Sequence, residues 1–345
     1  MKIKNQILYF VAILSVTFLT FSCSETSEDV ARLPSIVDIA KSDPNFSILV
    51  EAVTKTGLAT TLNSPGSYTV FAPTNDAFNK AGIKSGDITA MTDATAIANL
   101  RLVVQNHVIS TGTRSTDLLA GGYWRTFAFY RSTATATSGP NLSMYINKPA
   151  ADVLVNGGVA NGGAKVTTAD IDASNGIVHV IDGVLALPTI VQQVVANPNL
   201  SSLVGVVTSP TQASVLATLT SATNLLPISV YAPTNTAFAT ALGTGGYLVG
   251  KTNAEITNIL NYHLERSNRV AASATAFNAT ADITVTTLFV PVTTPPTPAF
   301  TLVLTRASLR IVDKSNPVVN GNATVTNIQG TNGSIQIVDK VLRSL

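Results

Sequence analysis

The chain reads as an α+β protein built from two tandem units, each placing its helices ahead of a mainly antiparallel sheet. Three observations predict this. A set of landmarks occurs twice in one order, about 157 residues apart. In each copy, segments of helical period precede segments of alternating period. The length of 345 residues, 46% hydrophobic and 12% charged, gives about two domains, each large enough to bury its own core. The same composition excludes several classes. Low charge with ordinary Gly and Pro content argues against disorder. A single Cys rules out a disulfide framework and a CxxC zinc site. A formal charge of +2 is too small to point to nucleic acid. Mean hydropathy is +0.33, an excess carried by Ala, Val, Leu and Ile rather than by membrane spans.

The first segment reads as an address. Lys2 and Lys4 precede an apolar run over 7–19, interrupted by Ser15 and Thr17 and ending at Thr20-Phe21-Ser22-Cys23. Residues 1–22 are expected to be a secretory signal peptide, too short for a membrane span. The only Cys of the chain closes it. That arrangement resembles a bacterial lipobox, with Cys23 lipidated as the first mature residue, although Leu19 sits one place early and Phe21 is bulky for its position. An ordinary signal peptide with an incidental Cys is the alternative. Residues 23–33 form a lipid-anchored flexible tether, whose Glu25, Glu28 and Asp29 resemble a surface-export signal or simply solvate a linker. No later run of about 18 apolar residues occurs, so membrane attachment is expected through N-terminal lipid alone. The expected location is the outer membrane, facing the cell surface, with a periplasm-facing or secreted protein as alternatives. Lys2 and Lys4 account for the whole net charge, so the basicity says nothing about a partner.

The remainder divides into units at 34–187 and 188–345. Phe71-Ala72-Pro73-Thr74-Asn75-Asp76-Ala77-Phe78 recurs as Tyr231-Ala232-Pro233-Thr234-Asn235-Thr236-Ala237-Phe238. Asn106-His107 corresponds to Tyr262-His263, and Asn175-Gly176-Ile177-Val178-His179 to Asn332-Gly333-Ser334-Ile335-Gln336. The period is too long for a solenoid, and the boundary at Leu187-Pro188 leaves almost no linker. Within a unit, Ile36, Ile39 and Ala40, then Phe46, Leu49, Val50 and Val53, take helical spacing, broken by Asp43-Pro44. Residues 67–72 form a short strand. Thr74 or Asn75 then caps a helix carrying Ala77 and Phe78. A further helix covers 95–106. Residues 123–130 and 142–146 alternate as a hairpin, followed by strands at 153–155, 164–167 and 177–181, with Asn156-Gly157, Asn161-Gly162 and Asn175-Gly176 supplying positive-φ turns. In the second unit, residues 291–298 form a Pro/Thr loop expected to stiffen toward polyproline geometry.

The two boxes carry a resemblance. Residues 69–78 and 175–185, with the Tyr262-His263 pair after the middle helix, are similar to the recurring boxes of fasciclin-type domains across nearly the whole chain beyond the tether. The resemblance implies a seven-stranded β wedge or sandwich with several helices, and a role in extracellular adhesion or matrix interaction. It also implies that Thr74, Asn75, His107, His179, Thr234, Asn235 and His263 are fold-motif positions. Asn106 in place of Tyr, and Gln336 in place of the second-box His, depart from the pattern.

No GxSxG, HExxH, Walker or dinucleotide fingerprint accompanies the three His. With at most two His per unit, no metal site, catalytic site or cofactor is expected. His107 and His263 are expected to be buried at a helix end, bonded to backbone near the first box. Asp170-Ile171 is similar to the aspartate-isoleucine motif that some animal fasciclin-domain proteins present to integrins. A carboxylate on a loop would complete a partner's metal site; alternatively Ile171 packs and Asp170 is solvated. Tyr123 and Trp124 open the hairpin, and one of its faces could leave Trp124 and Tyr130 free for sugar stacking or protein contact, the other reading being core or domain-interface packing. Two functions follow. One is a non-enzymatic adhesion or interaction module at the cell surface, meeting a surface or matrix protein or glycan. The other is an accessory glycan- or nutrient-binding lipoprotein beside an outer-membrane transporter.

Overall fold

The structure, a computed structural model, describes residues 33–118, 121–150, 152–220, 227–270, 283–285, 287–288, 300–305, 308–313 and 320–343. Cys23, most of the tether, the signal segment and the loop at 291–298 lie outside the described residues.

The first domain opens with three short helices, α1 (Ile36–Ser42), α2 (Ser47–Lys55) and α3 (Leu58–Asn63). Ser35 and Asp38 start α1 with a reciprocal capping box. Asp43 closes α1 and bonds Asn45 N, turning the chain through Pro44 into α2. Strand β1 (Tyr68–Pro73) follows, then α4 (Asn75–Lys80), α5 (Asp87–Ala90) and α6 (Ala94–Asn106). Six strands complete the domain: β2 (Val108–Ile109), β3 (Gly122–Phe129), β4 (Asn141–Asn147), β5 (Leu154–Val155), β6 (Ala164–Ala173) and β7 (Gly176–Ile181). The second domain repeats the order with α7 (Ile190–Ala196), α8 (Ser201–Val207), α9 (Ala213–Thr220), β8 (Ile228–Pro233), α10 (Asn235–Leu242), α11 (Asn253–Tyr262), β9 (Leu264–Glu265), β10 (Ile283–Val285), β11 (Phe300–Thr305), β12 (Ser308–Asp313), β13 (Asn320–Gly330) and β14 (Gly333–Val338).

Each strand of the first domain pairs with the next, and β7 returns to β1, closing a seven-stranded barrel. The second domain keeps that order as a seven-stranded sheet, β10-β11-β12-β13-β14-β8-β9, whose two end strands are linked among the described residues by one isolated bridge between Glu265 and Thr287. All described pairings are antiparallel except β1 with β7 and β8 with β14. Those two exceptions join the sequence boxes: Phe71 lies opposite His179, and Tyr231 opposite Gln336. Residues that stand about a hundred positions apart in sequence therefore share one pair of strands.

Apolar side chains form two layers in the first domain. Ile48, Leu49, Phe78, Val104 and Val178 pack between the helices and one face of the sheet. Phe71, Ile109, Met144, Ile146 and Ile181 fill the interior of the barrel. The second domain repeats the helical layer with Leu200, Leu203, Phe238, Leu260 and Ile337. The bent helical pair over 198–220 is apolar enough for a membrane test but supplies Leu200, Leu203, Val215 and Leu219 to this core. No single helix among the described residues is long and apolar enough to cross a membrane.

The turns differ from the sequence expectation. Asn156 and Gly157 both take positive φ, 48° and 77°, where they open the longer connection over 156–163 between β5 and β6. Asn161 and Asn175 do not; only the glycines after them are positive. Gly176 is required for another reason: a Cβ there would lie 2.1 Å from the Tyr68 carbonyl oxygen on the parallel neighbour β1. Gly333 meets Ile228 in the same way. Strand β6 also runs six residues beyond its expected end at 167, because a bulge between Thr168 and Ile171 absorbs the break in alternation.

Candidate functional site

The first box works as a clamp. Thr74 is the N-cap of α4, its hydroxyl accepting from Ala77 N at 3.3 Å; Thr234 caps α10 in the same way at 3.2 Å. Such a cap contributes about 1 kcal/mol. Asn75 is not the cap. Its Oδ1 accepts from Ile48 N at 3.1 Å and its Nδ2 donates to Pro44 O and Ser47 Oγ, tying the box to the start of α2. Asn235 makes the same three bonds to Ser202 N, Pro198 O and Ser201 Oγ. The second-box Asn does the complementary task. Asn175 accepts from Ile36 N and donates to Leu62 O, and Asn332 accepts from Ile190 N and donates to Leu219 O.

His107 and His263 follow the middle helix of each domain and are 3% exposed. His107 Nδ1 donates to the Val103 carbonyl at 2.7 Å, and Nε2 accepts from Leu185 N at 2.9 Å. His263 does the same with Ile259 O and Leu342 N. One acceptor and one donor fix each ring as the neutral Nδ1–H tautomer. Burial lowers the His107 pKa to about 4, against the raising effect of its bond to Val103. The side chains reach the end of the second box, at Leu185 and its counterpart Leu342, not the first box as expected. Their backbone carbonyls bond the first box, accepting from Phe71 N and Tyr231 N.

His179 faces the bulge of β6. Its Nε2 donates to Thr113 O at 3.0 Å and its Nδ1 accepts from Asp170 N at 3.2 Å, the opposite tautomer. In the second domain Gln336 makes the same pair: Nε2 donates to Arg269 O and Oε1 accepts from Asn327 N, both at 2.9 Å. A carboxamide reproduces the donor and acceptor of the imidazole, which explains the departure at this position. Asp170 and Asn327 both sit at φ 62°, a left-handed conformation that Asp and Asn tolerate better than other side chains. Asp170 therefore lies on a strand bulge rather than a loop. Its carboxylate accepts from Ser115 N at 2.7 Å and Ser115 Oγ at 2.5 Å. Partial burial raises its pKa, and the Ser115 bonds together with the nearby His179 and Arg114 outweigh this and leave it lowered. Ile171 is half-buried against the helical layer.

At the other departure, Asn106 is wholly buried where the second domain has Tyr262. Its Nδ2 donates to Ala186 O at 2.9 Å, while its Oδ1 finds no partner.

The inner faces of the two sheets diverge. Where the first domain has Phe71 and Ile109, the second has Tyr231 and Glu265. Tyr231 Oη donates to Glu265 Oε2 at 2.9 Å, and Arg269 Nε donates to the same oxygen at 2.9 Å. The Glu265–Arg269 pair is largely buried. Burial, then the Glu265 charge, holds the Tyr231 pKa well above its ordinary value. Sequence reading missed this cluster. The available signal was Glu265-Arg266-Ser267-Asn268-Arg269, three charges in five residues of a charge-poor chain.

Tyr123 belongs to the domain join. Its ring packs against the core of the second domain and on Tyr145, centroids 4.7 Å apart. Its hydroxyl donates to Gln193 O and accepts from Asn197 Nδ2, each at 3.2 Å. Tyr145 Oη reaches Asn197 Oδ1, and Ser143 Oγ accepts from Gln329 N at 2.9 Å. Strand β4 is thus seated on α7 and β13. Trp124 is half-buried against the first barrel's interior, its Nε1 buried without a partner. Beside the join, a cleft of about 610 Å³ is lined by Arg125, Tyr130, Ser138 and Asn141 from the first domain and by Asn268 and Val270 from the second. Each helical layer also holds a small apolar cavity, about 30 Å³ next to His107 and about 50 Å³ next to His263. Among the described residues no group of three or more His, Cys, Asp or Glu could hold a metal ion.

A family model described as "Fasciclin domain" matches residues 44–188 and again 198–344. The uncharacterized protein sll1735 of Synechocystis sp. is 37% identical over 155 residues, 45% of this chain and 99% of that protein. Transforming growth factor-beta-induced protein ig-h3 of Sus scrofa is 31% identical over 157 residues, 45% of this chain and 19% of that protein. Among solved structures, a FAS1 domain pair from the insect cell adhesion molecule Fasciclin I aligns with a TM-score of 0.49 and 15% identity, covering 86% of this chain and 96% of that one. With the family model matched once on each repeat, the chain belongs to the fasciclin-domain family and carries two such domains in tandem.

Proposed function

We propose that the chain is a non-enzymatic adhesion or interaction module, displayed at the cell surface and held in the outer membrane by lipid on Cys23. One observation carries the non-enzymatic part. All three His, and the Asn residues of both boxes, spend their hydrogen-bonding groups on backbone or capping partners inside the fold. Groups so committed hold a scaffold and leave contact surfaces to do the work. Membership of the fasciclin-domain family supports the same reading.

The experiment pairs anchoring with contact. A fatty-acid probe should label the full chain and not Cys23→Ala, and protease added to intact cells should remove it. Cells displaying it should be retained on their extracellular matrix more than cells lacking it. Unlabelled protein would move it to a secreted class, labelled but protected protein to the periplasmic face, and equal retention would reject adhesion. A second reading, an accessory glycan-binding lipoprotein beside an outer-membrane transporter, is supported by the polar cleft at the domain join. Co-purification with such a transporter tests it.

A further inference from the structure

The cleft beside the domain join has a chemistry that neither domain has alone. Its volume of about 610 Å³ falls within the range of roughly 300–1,000 Å³ usual for small-molecule sites. Arg125 projects from β3 on one wall. One of its Nη atoms donates to Asn141 O at 3.1 Å, and no carboxylate pairs with it among the described residues. Asn268 joins the lining from the second domain. Tyr130 adds a half-buried ring to the wall, and Ser132, Ser138 and Asn141 add hydroxyl and amide groups. Among the described residues no Asp or Glu lines the cleft.

We propose that this cleft binds an acidic saccharide, a short uronate-bearing oligosaccharide whose carboxylate is taken by Arg125. The parts match such a ligand one by one. A guanidinium without a protein carboxylate suits a sugar carboxylate and binds it through paired N–H donors. The Ser132 and Ser138 hydroxyls and the Asn141 and Asn268 amides on the lining suit the hydroxyls of a sugar. An aromatic face beside polar groups suits the apolar side of a pyranose ring. An inorganic anion would use Arg125 and leave Asn268 and Tyr130 idle. Among the described residues the lining holds no carboxylate to repel an anion. The inference deepens the glycan-binding reading and rests on it for the ligand class alone. Transporter association is read by co-purification, so the two fail separately.

Isothermal titration of the full chain with trigalacturonate tests the proposal, with maltotriose and inorganic phosphate as comparison probes. Saturable binding of trigalacturonate is expected, weakening with added salt as an ion pair near solvent does, and maltotriose should bind much less. Arg125→Gln should weaken it by about tenfold or more. Asn268→Ala, from the opposite domain, should weaken it by a smaller factor. Both variants should keep the thermal midpoint of the parent, since neither residue is in the core. Three results would overturn the proposal: no saturable binding of trigalacturonate, equal binding of maltotriose or phosphate, or affinity unchanged in both variants.

Discussion

The two domains share a frame and differ in what fills it. Thr74 and Thr234 cap, Asn75 and Asn235 clamp, and His107 and His263 bond the same backbone positions. Inside the barrel the first domain buries Phe71 and Ile109, while the second buries the Tyr231–Glu265–Arg269 network. At the bulge the first uses His179 and the second Gln336. What the copies hold in common is a set of donors and acceptors at fixed places. Residue identity follows only where a single side chain supplies them.

The comparison breaks most visibly at the buried charges. Arg269→Ala leaves Glu265 buried without its cation and should destabilise the second domain by about 3–5 kcal/mol, measured by chemical denaturation. Importing the first domain's solution with Tyr231→Phe, Glu265→Ile and Arg269→Thr together should restore stability to within about 2 kcal/mol of the parent. If the triple variant is as unstable as Arg269→Ala, the interiors are not interchangeable.

Next in size is an acid effect. The unfolded His107 imidazole takes a proton near its ordinary pKa of 6.5, whereas the folded one refuses it until about pH 4. Stability is unaffected by this group above that window and falls as the pH drops through it, by up to about 3 kcal/mol. A denaturation series from pH 7 to 4 should show the fall, and His107→Gln should flatten it.

Smaller still is the exchange at the bulge. His179→Gln, copying Gln336, should cost less than about 1 kcal/mol, whereas His179→Ala strands the Thr113 carbonyl and Asp170 amide and should cost about 1–3 kcal/mol. Equal losses would mean that ring packing against Phe71, centroids 5.4 Å apart, matters more than the bonds. The least effect is expected at the half-exposed Arg114–Asp172 pair, which Arg114→Ala should change by less than about 1 kcal/mol.

Much of the fold was legible because the chain states it twice. Repeated landmarks give the two domains, and the alternation of 123–130 and 142–146 gives the hairpin of β3 and β4. A cap at Thr74 or Asn75 was recognisable because capping is local in sequence, though not which of the two supplies it. Asn75 was not recognisable as a clamp, since its partners at Pro44, Ser47 and Ile48 lie about thirty residues away. The same limit hid the Tyr123 contact with Gln193 and Asn197, and the cleft formed by Arg125 and Asn268. The length of β6 was misjudged for a different reason: a bulge shifts the alternation by a residue and makes one strand look like two pieces.

If the landmark histidines are locked parts of a scaffold, nitrogen-15 NMR of the imidazoles reads it from their tautomers and titration. His107 and His263 should appear as Nδ1–H tautomers, His179 as Nε2–H, and His107 should titrate near pH 4. Averaged tautomers, with His107 titrating near 6.5, would mark rings free to move protons and would contradict it.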